Sequence, residues 1–205
     1  TIIEGWSKKD LNIELSKHFD NFTDIHYSDI FADTYYYSKN EDFNIFLQKL
    51  KLYKKKYFKD KNKNLFFRNY NENELMIIGS LIEKEGLDLK DKRLISSVIM
   101  NRLSSKMRLQ IDASVLYSLT EGNFDLKRNL NFNDLKIDSP YNTYMIDGLP
   151  PNPISYVSKK TADIILENHE TDYMFYFFNN RLRRHIFSKT FKEHKTKLYD
   201  YRNKK

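Results

Sequence analysis

Residues 74–86 read ELMIIGSLIEKEG, a run of apolar side chains that ends in two glutamates and a glycine. On an α-helix, with Leu75 set at zero and a turn of about 100° per residue, Ile78, Leu81 and Ile82 fall at roughly 300°, 240° and 340°. The same arithmetic puts Glu85 at roughly 280°, the middle of that stripe, and Glu83 at roughly 80°, on the far side. Glu83 is therefore expected to face water, and Glu85 whatever the helix packs on. An unpaired buried carboxylate is expensive, and its usual escape is a raised pKa. A carboxyl that keeps its proton near neutral pH is what a general acid needs. Two blander readings stand beside this one. Gly86 ends the helix and leaves Glu85 solvated at a frayed terminus, or Glu85 pairs with Arg93 or Arg102.

The chain has 205 residues, enough for one good core or two small ones. Hydrophobic residues at 40% and charged residues at 31% describe a soluble globular protein rather than a disordered one. No apolar run reaches the length of a membrane span, and no signal-peptide pattern opens the chain. Residue 1 is Thr, so a fragment or processed form is expected. The absence of cysteine excludes disulfides, cysteine nucleophiles and thiolate metal sites. None of the 5 histidines sits in HExxH or another ligand spacing, so neither a metal nor a cofactor is expected. There is no GxSxG, P-loop or GxGxxG. A net charge of +7 suits an acidic polymer: nucleic acid, an anionic membrane or a cell-wall glycan. The 15 Tyr and 15 Phe suit stacking on sugars or bases.

Outward from the central run, Ser7 reads as a helix start followed by Leu11, Ile13, Leu15 and Phe19. Phe43 to Phe58 reads as a helix with Ile45, Phe46, Leu50 and Tyr53 on one side. Lys54, Lys55 and Lys56 lie near its solvated end, and a polar loop follows over 59–64. The central helix starts at Asn71 or Asn73 and ends at Glu85. A second runs from about Asp91 to Leu103, with Leu94, Ile95, Val98, Ile99 and Leu103 as its stripe. A short helix covers Ala113 to Leu119. From Asn131 to Tyr156, with Pro150, Pro151 and Pro153 close together, the chain reads as an ordered loop or edge. Ser158 to Asn168 reads as a helix. Asp172 to Phe178 reads as a strand buried on both faces, paired with His185–Ser188. A basic helix from Thr190 to about Arg202 closes the chain. The class is α+β, mostly helical with a small antiparallel sheet.

Several motifs stand in one order. They are Ser80-Leu81-Ile82-Glu83-Lys84-Glu85, Val98-Ile99-Met100-Asn101-Arg102-Leu103, and Met107-Arg108-Leu109-Gln110-Ile111-Asp112 with Tyr117. Then come Tyr141-Asn142-Thr143-Tyr144, Gly148-Leu149-Pro150-Pro151-Asn152-Pro153-Ile154, Thr171-Asp172-Tyr173, His185-Ile186-Phe187-Ser188, and His194. Together they resemble the YceG-like (MltG) family of endolytic murein transglycosylases. Upstream, Ile3-Glu4-Gly5-Trp6 and Phe31-Ala32-Asp33-Thr34-Tyr35 match more weakly. Ala113 stands where the pattern often has Pro, and Arg183-Arg184 where it often has Gly-Gly.

The resemblance implies a catalytic core over 71–205, part of it lysozyme-like around the catalytic helix, preceded by a helical part over 1–70. It implies Glu85 as the catalytic acid of a peptidoglycan lytic transglycosylase. The reaction would cut the β-1,4 bond between N-acetylmuramic acid and N-acetylglucosamine and leave 1,6-anhydro ends. The glycan strand would be the substrate, cell-wall synthesis proteins the partners, and the outer face of the cell membrane the location. A membrane anchor and a LysM-like part usually precede this region in the family. By residue chemistry, Gln110 is a candidate for contact with a sugar N-acetyl group or with Glu85, or for a loop-to-helix structural hydrogen bond; Tyr141, Asn142, Thr143 and Tyr144 are candidates for sugar contact or form a structural loop; and His185 steers substrate or bonds a backbone carbonyl. Asp112 reads first as a helix N-cap and second as a substrate contact. Tyr117 is core or reaches the cleft, and Asn101 and Arg102 hold the second helix. A glycan-binding module without catalysis, and a nucleic-acid binder, are the alternatives.

Overall fold

The computed structural model describes residues 1–203. In chain order it contains α1 (Lys8–Leu15), α2 (Phe43–Lys61), α3 (Glu72–Glu85), α4 (Leu89–Ser104), α5 (Asp112–Thr120), α6 (Lys159–Glu167), β1 (Phe175–Asn179), β2 (Arg184–Ser188) and α7 (Phe191–Asn203). Short 3-10 turns occupy Leu65–Arg68 and Asp134–Lys136. β1 and β2 form an antiparallel hairpin, so the class is α+β and mostly helical. No helix among the described residues is long and apolar enough to cross a membrane.

The opening stretch forms α3, around which the rest is arranged. Asn71 caps it with a reciprocal pair: Glu74 N–H donates to Asn71 Oδ1 at 3.0 Å, and Asn71 N–H to Glu74 Oε2 at 2.7 Å. At its other end Gly86 N–H donates to the Ile82 carbonyl at 2.8 Å. A Cβ on Gly86 would stand 2.4 Å from Lys92 Cγ, so the turn into α4 closes only over a glycine. α3 packs on α4, α5 and α6. The segment 153–158 covers a further side. Ile154 N–H donates to Ser80 Oγ at 3.0 Å, and Ser155 Oγ donates to the Ser80 carbonyl at 3.1 Å. Gly79 lies so close to this segment that a Cβ there would be 2.7 Å from Val157 Cγ1.

Enclosure on all these sides buries every residue from Leu75 to Glu83, which overturns the expected solvation of Glu83. Lys92 Nζ, also buried, pairs with Glu83 Oε2. Ser158 N–H and Oγ donate to Glu83 Oε1 at 2.9 and 2.8 Å. Lys92 also donates to Thr161 Oγ1 at 3.3 Å. Helical periodicity locates the more apolar side of α3 but not the lysine and serine that α4 and the start of α6 bring to its other side.

Other expectations shift for similar reasons. α2 continues through Lys61, shortening the loop placed at 59–64. Its buried stripe is Phe43, Phe46, Leu50, Tyr57 and Phe58, while Ile45 and Tyr53 are exposed. Lys54 is half-buried, donating to the Ser28 carbonyl. β1 begins at Phe175 and is half-buried over most of its length, because a two-stranded sheet leaves both edges open. The N-terminal segment is woven into the core. Gly5 N–H donates to the Tyr156 carbonyl at 2.8 Å and Ala32 N–H to that of Val157 at 2.7 Å. Ile2, Leu11, Phe31 and Phe58 share one cluster with Leu75, Ile78 and Leu81.

Truncating one partner of the buried ion pair strands the other. Glu83→Ala is expected to destabilise by about 3–5 kcal/mol, read as a lower denaturant midpoint. A double Glu83→Ala/Lys92→Met variant recovers most of that loss.

Candidate active site

Glu85 is the last residue of α3 and is half-buried. Neither candidate cation reaches it. Arg93 Nε donates to Glu167 Oε2 at 2.7 Å. Arg102 Nε donates to the Met174 carbonyl at 2.7 Å and its Nη1 to that of Leu109 at 2.6 Å. With Asn101 Nδ2 donating to the Thr171 and Tyr173 carbonyls at 2.7 and 2.9 Å, these two residues tie α4 to the chain entering β1.

The Glu85 carboxyl meets groups from three distant segments. The Tyr176 hydroxyl of β1 donates to its Oε2 at 3.3 Å. The Ala113 N–H, in the first turn of α5, also favours its ionised form. Desolvation is the largest influence and raises the pKa, the Asp112 charge raises it further, and His185, Tyr176 and Ala113 pull it down. The balance lies above the ordinary glutamate value. Burial pushes the Tyr176 phenol well above its usual range, so it stays a donor.

Strand alternation explains how Tyr176 arrives there. Tyr176 and Phe178 pair across the hairpin with Phe187 and His185 and share a face with them. On the other face Phe175 and Phe177 pack on α7, where His194 lies against both rings. Burial lowers the His194 pKa, which fits a packing role.

Asp112 is not the N-cap it was expected to be. Ile111 precedes α5, and Asp112 is its first residue, its Oδ1 accepting from the Tyr144 hydroxyl at 2.6 Å. The free end of α5 is held by Thr143 instead, whose Oγ1 accepts from Ile111 N–H at 2.9 Å. Gln110 takes a left-handed φ of 51°, gives its N–H to the Thr143 carbonyl at 3.0 Å, and leaves its side chain exposed.

Asn142 and Thr143 are fully buried, so of the two readings open for them, sugar contact and loop framework, their burial favours the framework. Asn142 Nδ2 donates to the Leu135 and Ile137 carbonyls at 3.1 and 2.8 Å, and its Oδ1 accepts from Tyr144 N–H at 3.0 Å. The half-buried Tyr144 and Tyr141 remain at the surface of that loop. Tyr117 is buried, its ring centroid 4.7 Å from that of Tyr141. His185 Nδ1 lies 2.8 Å from Asp91 Oδ2, a carboxylate rather than the backbone carbonyl considered for it. The same oxygen accepts from Leu87 N–H at 3.0 Å, so Asp91 ties the turn after Glu85 to β2. Arg183 adopts a φ of 52°, a left-handed conformation that a glycine would take without strain.

Three contributors escape the sequence reading. Tyr176 is hidden in an apolar run where its hydroxyl is the one polar side-chain atom between Phe175 and Phe178. Asp91 looks like an ordinary acidic residue of a first helical turn, and a backbone N–H such as that of Ala113 leaves no mark in a sequence. Two depressions adjoin the site. One of about 300 Å³ is lined by Lys84, Ala113, Tyr117, Phe124 and Ile154 among others. The other, of about 450 Å³, includes Leu87, Asp91, Tyr173 and His185. Among the described residues no cluster of three or more His, Cys, Asp or Glu could hold a metal ion.

The electrostatic balance has a testable sign. Asp112→Asn removes a negative neighbour and is expected to lower the Glu85 midpoint. Tyr176→Phe removes a donor to the carboxylate and is expected to raise it. Carbon-13 NMR titration of the glutamate carboxyls measures both, and shifts of the same sign would refute the arrangement.

The YceG-like family model matches residues 1–199. The chain is similar to the endolytic murein transglycosylase of Bacillus subtilis (strain 168), 39% identical over 135 residues, covering 64% of this chain and 36% of that relative. It is also similar to the endolytic murein transglycosylase of Streptococcus pneumoniae (strain ATCC BAA-255 / R6), 35% identical over 124 residues, 57% of this chain and 22% of that protein. The matches thus span well under half the length of either relative. The crystal structure of a yceG-like protein, lmo1499, from Listeria monocytogenes superposes with a TM-score of 0.71 at 30% identity, covering 82% of this chain and 54% of that one. Motif order, fold and family match agree: the chain belongs to the YceG-like family.

Proposed function

We propose that this chain carries the catalytic centre of a peptidoglycan lytic transglycosylase, with Glu85 as its acid and base. The observation that supports it most is a desolvated carboxyl of raised pKa, without a lysine or arginine partner, at the end of a closely packed helix. Protonated Glu85 gives its proton to the glycosidic oxygen as the bond from that oxygen to C1 of the muramoyl sugar breaks. The resulting carboxylate takes the proton of the C6 hydroxyl of the same sugar as that oxygen bonds to C1. The products are a free 4-hydroxyl on the leaving sugar and a 1,6-anhydro muramoyl end, and Glu85 regains its proton. The nucleophile is intramolecular, so its effective concentration is high and no water needs activating.

The neighbouring groups divide the work. Desolvation favours the protonated form of the acid before the cut. Tyr176 and the Ala113 N–H stabilise the carboxylate formed midway. Asp112, held by Tyr144, supplies negative charge near the cationic character that develops at C1. Tyr141, Tyr144 and Gln110, which keep exposed or half-exposed surface, are assigned to sugar contact, and His185 to steering the substrate. By likeness to its relatives, the enzyme would cut within nascent strands and end their growth. The sequence resemblance adds a location at the outer face of the cell membrane and cell-wall synthesis proteins as partners.

Digestion of purified peptidoglycan by wild type and Glu85→Gln, with mass spectrometry of the fragments, tests this reading. Anhydro-muramoyl ends are expected from wild type, with a loss of at least about 10²–10⁴-fold in Glu85→Gln, the usual size of a general-acid contribution. Reducing ends would show hydrolysis instead, and strands bound but uncut by folded wild type would show a binding module.

A further inference from the structure

The depression of about 450 Å³ beyond His185 has a chemistry that cutting a sugar bond does not require. Its apolar part is formed by Leu94, Tyr173 and Phe187. Its rim carries Lys90, Arg183 and Arg184, all exposed and without a carboxylate partner among the described residues. A fourth cation on the wall, Lys197, is already engaged by Glu193 at 2.6 Å and by the Phe187 carbonyl at 2.8 Å. The two carboxylates present are also committed. Asp88 caps α4, accepting from Asp91 N–H at 2.9 Å, and Asp91 holds His185. The lining therefore keeps free positive charge beside an apolar floor, and Arg183 keeps its long cationic side chain at a backbone position that favours glycine.

The depression is next to the acid rather than remote from it. His185 lines its wall and acts electrostatically on the Glu85 carboxyl. A muramoyl residue poised over Glu85 bears a short peptide on its lactyl group, and such peptides combine small apolar side chains with free carboxylates. We propose that this depression binds the acidic stem peptide of the muramoyl residue. Its role in cutting rests on the reading of Glu85 as the acid. Lys90, Arg183 and Arg184 meet the peptide carboxylates, while Tyr173 and Leu94 meet its apolar side chains.

Calorimetric binding of soluble glycan strands, with stems and after amidase removal of the stems, tests the proposal. Arg183→Gly suits the left-handed backbone at that position, so an Arg183→Gly/Arg184→Ala variant is expected to melt as wild type does, and Lys90→Ala gives a second, independent probe. Wild type is expected to bind stem-bearing strands about tenfold tighter than stripped ones, a difference typical of a few partly exposed charge contacts. The double variant binds both at the stripped level, Lys90→Ala falls between, and strands whose stem carboxyls are amidated behave as stripped. Equal binding of both strands by wild type, or a preference kept in the double variant, overturns the proposal. So does a double variant that loses binding only to polyglycerol phosphate, which would make the site one for phosphate polymers. Products of the same strands separate the two readings. Anhydro ends without any stem preference sink this proposal alone, and a stem preference without anhydro ends sinks the reaction assigned to Glu85 alone.

Discussion

The buried ion pair between Glu83 and Lys92 governs the chemistry available at the end of α3. It locks that helix end to α4 and, through Ser158 and Thr161, to the start of α6. It also commits Lys92 to Glu83 and Thr161. Arg93 and Arg102 are held by Glu167 and by backbone carbonyls, so Glu85 is left beside a phenol, a backbone N–H, a histidine ring and another carboxylate. A glutamate in those surroundings holds its proton more tightly than one in water. Two residues apart on one helix, the same side chain is paired with a buried lysine in one case and left without one, its pKa raised, in the other.

That tuning acts against the fold. With a folded pKa above the ordinary glutamate value of 4.5, the group stabilises the native state fully below that value. The contribution is lost as pH rises from there through the raised native pKa. At neutral pH the protein therefore carries a cost at position 85, offset by the packing around α3. Groups that hold the acid in place lie far from it in the chain. Asp91 joins the turn after Glu85 to β2, Asn101 and Arg102 hold the segment before β1, and Thr143 fixes the start of α5. The hydrogen bonds of these motif residues thus bring three segments to one carboxyl.

Much of the helical frame was legible because it follows from local physics. Asn71 and Ser158 cap where polar residues precede apolar stripes, and Gly86 stops α3 where a glycine stands, whereas α4 starts at Leu89, capped by Asp88, two residues before the expected Asp91. The amphipathic placement of Glu85 was legible for the same reason. The fate of Glu83 was not, because a wheel describes one helix and its burial depends on what α4 and α6 bring. Asn142 and Thr143 looked like sugar ligands because amides and hydroxyls in a loop suit either role, and only the carbonyls around them decide for the framework. Tyr176 could not be singled out until the hairpin register placed it opposite Phe187 and over the end of α3.

The pH dependence of strand cleavage probes the acid itself. If Glu85 works as a protonated donor, kcat/KM falls on the alkaline side with a midpoint above 4.5 that coincides with the titration of the Glu85 carboxyl. A rate that instead climbs as pH rises through the ordinary carboxylate range, with Glu85 already ionised, would mean that this carboxyl does not deliver the proton.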